Sequence, residues 1–255
     1  MDNPTDHPLL FLALACFVLW FAARIGSALF KGRRRMAEDV HEDFDLILTA
    51  TLTLLGLIIG FSFSMAISRY DQRKNYEEEE ANAIGTEYLR ADLLPSTDAA
   101  KVRALLRAYL AQRILFYKTR DKQRLLQINA KTAQLQGELW SAVRAPAASQ
   151  PTPMVALAVS GMNDVLNAQG YTQAAWWNRI PLAAWALMVA IAICCNGLVG
   201  YGARRAEAEG LLMVVLPLVV SIAFYLIADI DSPHGGVIRV QPQNLVSLAQ
   251  SLQTN

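Results

Sequence analysis

Apolar positions along the chain gather into four long runs, interrupted by one long polar segment. The runs extend from about Leu9 to Phe30, Phe44 to Ile67, Ile180 to Tyr201 and Gly210 to Ala228, each near the roughly 20 residues a helix needs to cross a bilayer core. In the polar segment, apolar residues recur at steps of three and four. Ile84, Tyr88 and Ala91 form one such set, and Val102, Leu105, Leu106, Tyr109, Leu110, Ile114 and Tyr117 form another, which predicts helices with one buried face. The pattern therefore predicts an all-α membrane protein with four transmembrane helices and a helical insert between the second and third. Residues 1–68 would hold transmembrane helices 1 and 2, and 69–178 the extramembrane insert. Residues 179–229 would hold helices 3 and 4, and 230–255 a C-terminal tail.

Punctuation inside the insert divides it. Pro95 ends the first helix, and Ser96 or Thr97 can cap the second. A third is expected from about Asp121 to Val143. Residues 145–153 carry three prolines and read as a linker, followed by a short helix from Met154 to Ala168 that stops before Gly170. Trp176, Trp177 and Arg179 precede the third span, where amphipathic rings and a cation mark a membrane interface. Beyond the spans, only the short Val237 to Val240 has strand character.

Composition agrees with this division, since 54% of the 255 residues are apolar and 18% charged. The first run is expected to stay in place as a span and not to be removed as a signal peptide. Asp2 and Asp6 precede it, no Lys or Arg comes before Arg24, and the apolar block is long. A net charge of +1 gives no basic field for a nucleic-acid partner. Cys16, Cys194 and Cys195 all fall inside spans and read as small apolar packing. No Gly-rich phosphate loop, nucleophile with a base, or zinc spacing is present, so neither an enzyme nor a cofactor or metal site is expected. Asp229, Asp231 and His234 are a sparse oxygen-rich set, better read as helix termination and interfacial hydrogen bonding than as a cation site. His7 and His41 stand alone, and Pro217 is expected to kink the last span.

The second span holds the most informative pattern. Thr49, Thr53, Gly56, Gly60, Ser64 and Ser68 make a small, polar stripe along one side of a helix otherwise built of Leu, Ile and Phe. Such a stripe serves close helix packing or, in a symmetric oligomer, the wall of a conduit. The run Glu77, Glu78, Glu79, Glu80 then surrounds the same helix and reads as a solvated shaft. From Asp71 to Asp92 there are seven carboxylates against three basic groups, whereas Asp98 to Lys131 is strongly basic. That asymmetry predicts antiparallel pairing of an acidic helix with a basic one, with any leftover basic surface drawing anions or lipid head groups.

The passages Leu54 to Arg73 and Glu80 to Pro95, together with Ile227-Ala-Asp-Ile-Asp-Ser-Pro233 and Gly236 to Val240, resemble the bestrophin-like domain family of bacterial multi-pass membrane proteins. Ser68-Arg-Tyr-Asp71 is in turn similar to a run that follows the neck of bestrophins, homopentameric anion channels whose second span lines an apolar neck. In that register the neck positions fall on Gly56, Gly60 and Ser64, without the bulky residues of an apolar neck. The resemblance implies a bacterial inner (plasma) membrane protein with the insert and both termini in the cytoplasm. Loop charges pull the other way. Lys31, Arg33, Arg34, Arg35, Arg204 and Arg205 lie in the short loops, against Arg69, Arg73, Lys74, Arg179 and Arg239 on the opposite side.

The leading expectation is a homo-oligomer, a pentamer by resemblance, that passes small anions such as chloride. Thr49, Thr53, Gly56, Gly60, Ser64 and Ser68 would line the path, and Arg69 and Arg73 would ring its mouth. The alternative is a non-conducting membrane-anchored sensor or scaffold whose insert binds a partner or lipid head groups.

Overall fold

The computed structural model describes residues 8–31, 38–202 and 206–254. Of the loop cations, Arg33, Arg34, Arg35, Arg204 and Arg205 lie outside the described residues, as does His7. The described residues form helices and connecting turns, with no strand. In order these are α1 (Pro8–Lys31), α2 (Glu38–Arg90), a 3-10 turn (Ala91–Leu93), α3 (Ser96–Lys118), α4 (Lys122–Ser149), α5 (Pro153–Trp177), α6 (Leu182–Gly202), α7 (Ala206–Asp231) and α8 (Gln243–Thr254). Four helical runs, Leu9–Leu29, Asp43–Leu93, Pro153–Gly202 and Met213–Asp231, contain stretches long and apolar enough to cross a membrane.

The chain divides into two compact units, 1–68 with 179–238 and 69–178 with 239–255. α2 runs unbroken through the boundary at Ser68. In the first unit α1 packs on α6 and α7. The contact depends on missing side chains. A Cβ on Gly26 would lie 2.0 Å from the Gly197 carbonyl oxygen, and one on Gly200 would lie 1.9 Å from that of Ala23. Lipid tails give apolar helices little reason to associate, so close backbone approach between small residues supplies the attraction. Around it pack Leu19, Ala23, Met188, Ala192, Phe224 and Ile227, with Phe11, Trp185 and Phe224 joined by edge contacts. Large apolar side chains such as Leu14, Phe17 and Phe21 face outward, as lipid contact requires.

The second unit is a water-type bundle of the lower part of α2 with α3, α4, α5 and α8. Its core holds Ile84, Val102, Leu106, Leu139, Met162 and Leu245. Phe116, Tyr117 and Trp176 form a ring cluster with centroids 4.8 to 5.5 Å apart. Asp121 caps α4 by accepting from the Gln123 and Arg124 amides, and Thr152 caps α5, which begins on Pro153.

Several expectations change here. The proline-rich segment is mostly helix: α4 continues through Pro146 to Ser149, leaving only residues 150–152 between helices. Pro146 falls in the last turn, where it removes one helical amide without ending the helix, and its ring is buried against the bundle. α5 does not stop at Gly170 but reaches Trp177, because Val165, Ala168, Thr172, Ala175 and Trp176 carry its buried face past the glycine. Trp176 is a core residue, and Trp177, 76% exposed, is the ring that remains outside. Residues 230–255, expected as a C-terminal tail, are divided between the two units. The segment 232–238 closes the first unit, and α8 places Leu245 and Leu252 in the core of the second.

The two uses of glycine separate experimentally. Gly26→Val and Gly200→Val should each lower the thermal unfolding midpoint of the purified protein, at a cost of about 1–3 kcal/mol. Gly56→Ala and Gly60→Ala, with nothing within 4 Å of an added Cβ, should stay within about 1 kcal/mol of the parent or gain stability.

Candidate functional site

α2 presents a distinct face in each unit. In the first unit Leu55, Ser62 and Ala66 are buried, and α2 is tied to α6 where the Cys195 thiol donates to the Thr51 carbonyl at 3.3 Å and the rings of Phe44 and Tyr201 meet. At 100° per residue, the stripe from Thr49 to Ser68 projects from roughly the opposite side of the helix. Thr49, Thr53, Gly56, Gly60, Ser64 and Ser68 are all exposed. The Thr53 hydroxyl donates to the Thr49 carbonyl at 2.8 Å, so it is satisfied within its own helix. Close packing of helices in the first unit uses glycines elsewhere, Gly26 and Gly200 among them. The stripe takes no part in it.

In the second unit, buried positions on α2 include Arg73, Glu77, Glu80, Ile84 and Glu87, at steps of three and four that keep them on one face. The glutamate run is therefore split: Glu78 and Glu79 face solvent, whereas Glu77 and Glu80 enter the core. Glu77 accepts from the Leu245 amide at 3.0 Å and from the Asn244 side-chain amide at 2.8 Å. It thus supplies the cap that the start of α8 does not supply for itself, with an anion at the positive end of a helix. Burial raises its pKa, opposed by these same donors.

Arg73 does the reverse job. Its guanidinium, 2% exposed, donates to the Ala175 carbonyl at 3.3 Å and the Asn178 carbonyl at 3.5 Å, the orphan acceptors at the end of α5. Arg73, expected at a pore mouth, is engaged inside the bundle. Arg69 is half-buried.

Glu80 and Arg113 form a fully buried ion pair. Arg113 donates to both carboxylate oxygens, Thr172 donates at 3.2 Å and Tyr117 at 3.5 Å. The guanidinium also lies 4.5 Å from the centre of the Phe116 ring. Burial works against the Arg113 charge, but Glu80 outweighs it and holds the pKa above its usual value. Burial, reinforced by Glu80, keeps the Tyr109 and Tyr117 phenols neutral. Nearer the turn, Arg103 pairs with Asp92, and Arg107 donates to the Tyr88 hydroxyl. Acidic α2 and basic α3 thus run antiparallel with matched charges, the outer pair exposed and weak, the inner pair buried.

Sequence reasoning missed the inner pair. The signal was available: Arg113 sits between Tyr109 and Tyr117 on the apolar face of α3, and Glu80 lies four residues before Ile84.

Asp229 and Asp231 serve as backbone acceptors. Asp229 takes the Val237 and Ile238 amides at 2.8 to 3.0 Å, and Asp231 takes the Ile180 amide. Among the described residues no group of three or more His, Cys, Asp or Glu side chains could hold a metal ion.

A family model described as Bestrophin-like domain matches residues 9–245. Crystal structures of a bacterial bestrophin homologue from Klebsiella pneumoniae share the fold. One superposes with a TM-score of 0.68 at 12% identity, covering 97% of this chain and 98% of the other. Another, phased on zinc, gives 0.64 at 15% identity over 96% and 95%. Among curated proteins no sequence matches the chain.

The buried pair sets a stability test. Glu80→Gln alone should destabilise the protein by about 3–5 kcal/mol by stranding the Arg113 charge, whereas Glu80→Leu combined with Arg113→Met should lose far less than the sum of its single changes. Additive losses in a double-mutant unfolding cycle would show that the two groups do not depend on each other.

Proposed function

Because the chain belongs to the Bestrophin-like domain family, we propose that it assembles as a homo-oligomer, a pentamer by likeness to bestrophin channels, and passes small anions such as chloride along a path lined by α2. One observation carries this reading: the whole stripe Thr49, Thr53, Gly56, Gly60, Ser64 and Ser68 is exposed, and nothing lies within 4 Å of a Cβ added at Gly56 or Gly60. A small polar surface in a membrane span needs water or a second copy beside it. Rotational symmetry would turn it into a ring. Hydroxyls and exposed backbone at Gly56 and Gly60 offer dipoles without a fixed charge, suited to weak multi-site contact with a permeant ion. Arg69, one residue past Ser68, would attract anions to the entrance. The insert and both termini would face the cytoplasm, in a bacterial inner membrane.

The path so described is wider and more polar than an apolar bestrophin neck, since Gly56, Gly60 and Ser64 stand at its ring positions. It should conduct without needing apolar side chains to swing aside.

Purified protein in planar bilayers tests the reading. Anion-selective current should appear, and Gly60→Leu or Ser64→Leu should cut it by about tenfold or more by filling the constriction. A strict monomer in detergent, or silence from a verified folded oligomer, overturns the channel; the silent oligomer would favour a membrane-anchored scaffold.

A further inference from the structure

Among the charged members of the buried α2 series, Arg73, Glu77, Glu80 and Glu87, the last has no hydrogen-bonded capping or pairing task. Its side chain is 0% exposed, and neither carboxyl oxygen has a hydrogen-bond partner. Across from it, α5 presents Gly161: a Cβ there would lie 2.1 Å from Glu87 Oε2 and 2.5 Å from an Arg90 guanidinium nitrogen. The helix can close over the carboxyl only because that position has no side chain. Two charged groups act on Glu87, Arg90 from its own helix and Asp164 from α5. They are 3.7 Å from each other and partly exposed, so Arg90 is shared with a competing carboxylate nearer to water.

We propose that Glu87 is a proton-operated latch between α2 and α5: as the neutral acid it is tolerated beneath Gly161, and loss of its proton to solvent loosens that contact. A buried carboxylate without donors is costly, whereas the neutral acid is much less so. Charge on Glu87 is relieved either by water entering between the helices or by α5 moving off. Both weaken the same seam. Burial, with the Asp164 charge adding and Arg90 opposing, places the pKa at about 8.

The sign follows from proton linkage. In the unfolded chain Glu87 ionises with the ordinary value of 4.5; in the folded protein it keeps its proton to about 8. The folded state therefore holds the extra proton between those limits. The stability this group provides is full below the lower value and is lost as pH rises through the upper one, by up to about tenfold in the folding equilibrium per pH unit. The latch stands apart from conduction and does not depend on the chain forming a channel.

The test uses the full-length protein in detergent, parent and Glu87→Gln, followed by thermal unfolding and hydrogen exchange between mildly acidic and alkaline pH. The parent should lose stability on going alkaline, with faster exchange in residues 153–177 after correction for intrinsic rates. Glu87→Gln should be flatter on both measures. Should the variant fail to fold, the parent alone decides by infrared difference spectroscopy, which should show a protonated carboxylic acid at neutral pH that disappears on alkaline titration. Parallel pH profiles for parent and variant, or no titrating acid band, would overturn the latch.

Discussion

The second unit depends on charged groups that α2 carries into its interior. A helix inside a bundle leaves amides unsatisfied at one end and carbonyls at the other, and burial makes each costly. α2 answers this from its side chains, with Arg73 at the end of α5 and Glu77 at the start of α8. Between them Glu80 finds Arg113, Thr172 and Tyr117, so α2, α3 and α5 meet at one carboxylate. Apolar residues fill the remaining core. The registers of three helices against α2 are set by where these charges fall.

The first unit has the opposite problem. Its helices are apolar nearly throughout, so burial gives little preference for one face over another, and close approach at Gly26 and Gly200 supplies the specificity. Gly56 and Gly60 of α2 look alike in sequence but have nothing within 4 Å of an added Cβ. What distinguishes the two sets is whether a partner backbone lies opposite.

That distinction explains what was legible in the sequence. The four spans, the helical insert and the family resemblance rest on long periodic patterns, which survive without knowledge of neighbours. The polar stripe was visible for the same reason, but not whether it faced inward. Glu77 and Glu80 read as a solvated surface because carboxylates default to water, and only the four-residue steps that link them to Arg73 and Ile84 indicate burial. Pro146 and Gly170 were read as breaks, whereas tertiary packing carried helices through both. The role of the C-terminal residues depended on a partner, Glu77, that lies 168 positions from Leu245.

That long separation bears on how the protein is made. The second unit is discontinuous: its first three helices and the lower part of α2 leave the ribosome before α6 and α7, and α8 follows last. Until α8 emerges, Glu77 is an acceptor whose donors do not yet exist, and the seats of Leu245 and Leu252 stay open. The bundle therefore completes only after the last membrane spans have been synthesised. A chain broken off anywhere before α8 lacks Leu245 and Leu252 and carries an unfinished core.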